Sequence, residues 1–116
     1  MIRISDEMKR EVKEQFRGGK GSVTFKEIFS KDEMTGKSRL CSTITLSPGS
    51  SIGLHEHVDE EEIYYVISGK GIVTDNGITR EVSEGDAILT VGGTSHAVEN
   101  TGNEPLEMLA VILLYS

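Results

Sequence analysis

The sequence predicts an all-β domain, a single antiparallel barrel or sandwich of short strands, preceded by one short helix. Three observations carry that prediction. From residue 22 onward, β-rich runs alternate with turn signals at a spacing of roughly eight to twelve residues. No helical periodicity interrupts them after residue 18, which disfavours parallel βαβ units. Asn76-Gly77 stands between two β-branched runs, the strongest short-range hairpin signal a sequence carries.

Taken in order, residues 5–16 (SDEMKREVKEQF) read as a helix. Ser5 can cap it, Asp6 and Glu7 suit its positive end, and Gly18-Gly19 stops it. Met8, Val12 and Phe16 recur every fourth residue and give it a narrow packing stripe. The chain therefore divides into an N-terminal helical extension, 1–20, and a β domain, 21–116. Within the latter, SVTFKEIF (22–29) and RLCSTITL (39–46) alternate as strands across the polar turn 31–38. EEIYYVISG (61–69), the hairpin 70–82, GDAILTVGG (85–93), SHAVENTGNE (95–104) and LEMLAVILLY (106–115) follow. The last run is apolar on both faces, so both need cover, and a homodimer is the expected source of the second cover.

Composition bounds the partners. With 116 residues, 36% of them hydrophobic and no Trp, the chain has one core, built on Ile, Val, Leu and a few Phe and Tyr. A formal charge of −7 lacks the basic footprint that nucleic acid or an anionic membrane requires. Cys41 is alone and reads as a small buried residue rather than half of a disulfide. The opening MIRISDEMKREVKEQ has no apolar signal region, and no run approaches the ~18 apolar residues of a membrane span. A cytoplasmic location is expected.

The chemistry concentrates in GLHEHVDEEEIYYVISGKG (53–71), which holds two of the chain's three histidines. On an extended strand His55 and His57 point the same way and Glu56 points away. Such a pair is either an exposed surface feature or half of a metal site, since neutral imidazole is the commonest ligand of first-row transition ions. Asp59 and Glu60 read as a solvated turn. Glu62 differs: alternation sets it on one face with Tyr64 and Val66, at the head of an apolar strand where an unpaired carboxylate is costly. His96 opens another β run after Gly92-Gly93, and it completes a set of three nitrogens and one carboxylate. Thr45, Thr94 and Ser95 are candidate partners for these groups, and the sequence does not choose among them. Lys37, Arg39, Lys70 and Arg80 are not tied to the site by spacing.

Two motifs make the pattern specific. Gly49, His55, His57, Glu62 and Gly69 fit Gly, five residues, His-x-His, then Glu, six residues, Gly. Gly85, Gly93, His96 and Asn100 fit the Gly, Pro-x-Gly, His and Asn of a second motif, with Val91 where the Pro is expected. Fifteen residues (70–84) separate the two, and together they cover about a third of the chain. This resembles the cupin superfamily, in its small single-domain form, and the departure at Val91 touches a turn rather than a ligand.

The resemblance implies a six-to-eight-stranded antiparallel β-barrel of the double-stranded β-helix, or jelly-roll, type. It also implies one divalent transition ion (Mn, Fe, Ni or Zn) in the barrel mouth, held by the residues matching His55, His57, Glu62 and His96. Coordination positions would stay open for a small oxygen-rich molecule such as a carboxylate, a sugar or an enediol. The resemblance thereby implies a metal-dependent enzyme acting on such a molecule, of the decarboxylase, dioxygenase or isomerase kind. A small-ligand-binding or sensing module without catalysis is the alternative. Asn100 is expected to hold the turn that follows His96.

Overall fold

A computed structural model of the chain describes all of it, Met1–Ser116, as ten strands in two antiparallel sheets. In chain order these are β1 (Arg10–Glu14), β2 (Ser22–Phe29), β3 (Ser38–Leu46), β4 (Ser51–Glu56), β5 (Glu60–Ser68), β6 (Lys70–Asp75), β7 (Ile78–Ser83), β8 (Ala87–Thr90), β9 (Ser95–Glu99) and β10 (Leu106–Leu114). One sheet runs β1-β2-β3-β10-β5-β8 and the other β4-β9-β6-β7. Between them lies a single core to which both contribute, with Ile44, Tyr64, Val66 and Met108 from the first sheet and Ile52, Val73 and Val98 from the second. This is a jelly roll, and the alternation read from the sequence sets its faces. On β10, Leu106, Met108, Ala110 and Ile112 are buried while Leu109 and Val111 on the opposite face are only half covered. No helix is long and apolar enough to cross a membrane.

The hairpin forms where expected. β6 and β7 pair from Lys70↔Ser83 to Asp75↔Ile78, with Asn76 (φ 50°) and Gly77 (φ 80°) both left-handed at the tip. The turn at Val91 closes without proline: the Thr94 backbone N–H donates to the Val91 carbonyl, and Gly93 takes the required positive φ of 88°. Asn100 does hold its turn, donating to the carbonyls of Leu46 and Glu104 and accepting from the Gly102 N–H.

The N-terminus departs from expectation. Instead of a helix over 5–16 there is a 3-10 turn, Ser5–Glu7, then β1, then a second tight turn, Phe16–Gly18. A helix of that length is marginal by itself, whereas the edge of β2 offers a hydrogen-bonding ladder from Arg10↔Lys26 to Glu14↔Ser22. The supposed packing stripe is not used as one. Val12 is exposed, and Phe16 reaches the core rim only because left-handed Gln15 and Arg17 turn the chain, setting its ring edge-on to Phe25 at 5.2 Å. Cys41 is also less buried than expected, sitting half-covered on β3.

Candidate metal centre

Register brings the histidines together. His55 on β4 lies directly opposite His96 on β9, so their rings share a face, with centroids 4.6 Å apart. His57, just past the end of β4, points the same way and brings its ring within 5.0 Å of His55. Glu62 reaches in from β5 of the other sheet, and its Oε1 lies 3.0 Å from His57 Nε2 and 3.2 Å from His96 Nε2. The ligand atoms of all four residues lie within 4.8 Å of one another, and three of the four residues are buried. The structure thus gathers all four residues singled out in the sequence.

The surroundings fix which nitrogen of each ring faces the centre. His55 Nδ1 lies 2.7 Å from the Gly53 carbonyl, which can only accept, so that nitrogen carries the proton. His57 Nδ1 donates to the Glu60 carboxylate at 2.5 Å. The third case needs one more step. The Thr90 hydroxyl donates its only proton to Asp75 at 2.6 Å, so toward His96 Nδ1, 2.7 Å away, it can only accept. All three rings are therefore protonated at Nδ1 and turn the Nε2 lone pair inward. Those Nε2 atoms approach to 3.1 Å between His57 and His96 and between His96 and His55. Converging lone pairs repel unless a cation or a proton stands among them. Neutral nitrogens with one carboxylate suit a divalent transition ion, so the residues present fit such a group.

Electrostatics follow from the same contacts. Burial lowers the pKa of His55, and the charges of His96 and His57 add to that. The Glu62 carboxylate beside Nε2, a hydrogen-bond partner only when the ring is doubly protonated, raises His57 despite its burial. Burial pushes Glu62 upward, yet the contacts from His57 and His96 outweigh it and leave that carboxyl below its usual value. Tyr64, stacked on His96 at 4.9 Å with planes 4° apart, is raised well above the ordinary phenol range by burial.

Three supports differ from the sequence reading. Glu60 is not a solvated turn residue. Alternation along β5 puts it inward with Glu62, only 9% exposed, and Arg39 grips it through Nε (2.7 Å) and Nη2 (2.8 Å). That guanidinium, with His57 behind it, holds the Glu60 carboxyl at about 2. Arg39 is thereby tied to the site after all. Among the hydroxyls, Thr94 bonds the Val91 carbonyl, and neither Thr45 nor Ser95 meets a histidine ring; Thr90 does. Its signal lay in pairing: Thr90 is the β8 register partner of Glu62, and Asp75 the β6 partner of His96.

A cavity of about 170 Å³ opens onto these groups, walled by His55, His57, Glu62 and Tyr64 within and by Lys13 and Arg17 at its rim. It has room for about half a dozen waters, or one small molecule of similar bulk. A wider cleft of about 480 Å³ beside β7 and β8 meets the site only through Asp75.

Comparison with known proteins agrees with this architecture. Residues 42–112 match the cupin domain family. The chain is 46% identical over 114 residues to an oxalate-binding protein of Thermotoga maritima, covering 98% of this chain and 94% of that one. The crystal structure of a predicted oxalate decarboxylase from Thermotoga maritima superposes with a TM-score of 0.94 at 46% identity, over 98% of this chain and 99% of that one. A polyketide cyclase from Streptomyces resistomycificus, at 22% identity and a TM-score of 0.80 over 100% of this chain and 80% of its own, shares the fold. Motifs, sheet order and these likenesses together make the chain a member of the cupin superfamily.

Proposed function

We propose that the protein holds one divalent transition ion on His55, His57, Glu62 and His96 and binds a small carboxylate, oxalate or a close analogue, against it. The observation that carries this reading is that Gly53, Glu60 and Thr90 each engage the Nδ1 of one ring, which leaves the three Nε2 atoms facing inward beside a carboxylate oxygen. The ligand class is supported by the 46% identical relative, which is an oxalate-binding protein. When bound, the ion would act as a Lewis acid that chelates and polarises carboxylate oxygens. Mn or Fe suits a site with open octahedral positions better than Zn, with Ni also compatible with the donor set.

The chain's own residues do the rest. Gly53, Glu60 and Thr90 hold the three rings in orientation. Tyr64 and Ile44 wall the cavity and limit its size. Glu60, gripped by Arg39, stays ionised at neutral pH and does not serve as a proton donor. Binding is the leading reading because the 46% identical relative is an oxalate-binding protein. Turnover is the second, supported by the likeness to a predicted oxalate decarboxylase.

Residues 21–116 form the metal-holding unit in this reading and residues 1–20 an extension at its edge. The protein works in the cytoplasm as a homodimer, with a second copy covering the apolar stripe of Tyr65, Leu89 and Leu113, each more than a third exposed.

Elemental analysis of chelator-free protein, beside a His55→Ala/His96→Ala variant, tests the site. About one ion per parent chain and none in the variant is expected. Calorimetry with oxalate on the loaded parent, together with an assay for formate and CO₂, then separates binding from turnover. A parent that stays empty after incubation with each ion would sink the proposal.

A further inference from the structure

The rim of the cavity is cationic and unpaired. Lys13 and Arg17 come from β1 and the turn after it, outside the region 42–112 that carries the family match. In a chain of net charge −7 with 19 acidic residues, neither has a carboxylate within 4.0 Å, although Arg3 and Arg39 do. Lys13 is the one residue of β1 that is not exposed. Its Nζ lies 4.6 Å from the Phe25 ring centroid and 5.0 Å from that of Phe16, held by aromatic faces rather than by an anion. The Arg17 guanidinium stands 5.6 Å from the other contributor to that pair, the Phe16 ring.

The backbone that carries Arg17 is fixed against β4. Arg17 adopts φ 56°, a left-handed conformation that its neighbour Gly18 also takes and that favours glycine. The turn is clamped onto β4 by two glycines. A Cβ on Gly53 would stand 2.0 Å from the Arg17 carbonyl oxygen, and one on Gly19 2.0 Å from that of Ser51. The strained backbone at Arg17, held close against β4, anchors an exposed arginine side chain that lines the cavity ending at the metal residues.

Charge then selects the ligand. A divalent ion beside Glu62 leaves one net positive charge at the centre, and Glu60 already neutralises Arg39. Two further positive charges remain at the rim. We propose that Lys13 and Arg17 are specificity-determining residues that grip the outer charge of a small dicarboxylate whose inner oxygens face the metal residues. Monoanions and neutral sugars are thereby disfavoured. This rests on the function proposed above and deepens it.

The test uses the Mn²⁺-loaded full chain, titrated calorimetrically with oxalate and with glycolate, a monoanion able to chelate through two oxygens. Parent, Lys13→Met, Arg17→Gln, the double variant and Arg17→Lys are compared, with the metal content of each measured. The variants should keep the parent's metal content. Oxalate affinity should fall on the order of tenfold for each charge removed, with Arg17→Lys retaining part of it, while glycolate affinity changes little. The salt dependence of oxalate binding should flatten in the double variant. Variants that bind oxalate as tightly as the parent would overturn the rim assignment and leave the metal site and its ligand standing. Equal weakening for oxalate and glycolate would overturn it too, because the two residues would then act on a group common to both ligands rather than on the outer charge. A loaded parent that binds neither would remove both the proposed ligand class and the rim.

Discussion

The two faces of β5 invert the usual arrangement. Its buried face carries Glu60, Glu62 and Tyr64 before it reaches Val66, while its outer face carries Ile63, Tyr65 and Ile67, the latter two exposed. Soluble sheets ordinarily place apolar residues inward and polar ones outward. Charge on the inside is tolerated because every inward group has a partner: Arg39 and His57 for Glu60, His57 and His96 for Glu62. Apolar surface on the outside has no such answer within the chain, and it continues across register partners into Leu109, Val111 and Leu89. One strand thus turns a partnered polar face inward and an unpartnered apolar face outward.

The strongest way to break the inner face is Thr90→Val. The substitution keeps the shape but strips an acceptor from His96 and a donor from Asp75, at a residue with no exposure. Metal affinity should fall about 10–100-fold, read by competition with a chromophoric chelator, and Thr90→Ser should restore most of it. An unchanged affinity would mean that the ring is oriented by its stacking on Tyr64 alone. A smaller effect separates neighbours. Val66→Ala on the inner face should cost roughly 1–3 kcal/mol in denaturant unfolding, whereas Ile67→Thr beside it should stay within about 0.5 kcal/mol. If Ile67→Thr costs as much as Val66→Ala, the outer face is buried in solution. The change least felt by the fold itself is Tyr65→Lys with Leu89→Lys. It should leave the far-ultraviolet dichroism unaltered and convert the proposed dimer to single chains by light scattering; a mass that does not change, or that is already monomeric in the parent, removes the second copy from this face.

What could be read in the sequence followed from local pattern. The four metal-site candidates sit in two compact motifs whose residue types and spacings are both constrained, and the hairpin at Asn76-Gly77 is specified by two residues that tolerate positive φ. The supports were hidden because each depends on a partner distant in sequence. Glu60 is locally one more acid in a run of four, and only the fold sets Arg39, 21 residues away, against it. Thr90 carries no local signal; only the pairing of β5 with β8 and of β6 with β9 brings it between Asp75 and His96. The strand that replaces the expected N-terminal helix has the same origin. A helical stripe and an edge strand compete over residues 10–14, and the open ladder of β2, which no local pattern reveals, decides the outcome.

The strand order carries a last consequence. The six-stranded sheet is open on both sides, ending at β1 and at β8. Unpaired edges are templates on which other chains can grow cross-β aggregates. Here one edge is only the four residues of β8, and the other, Arg10-Glu11-Val12-Lys13-Glu14, carries charge at all but one position. Both are poor templates for another strand. The short charged β1 that borders the cavity thus also acts as a gatekeeper, closing to aggregation the sheet from which Glu62 reaches the site.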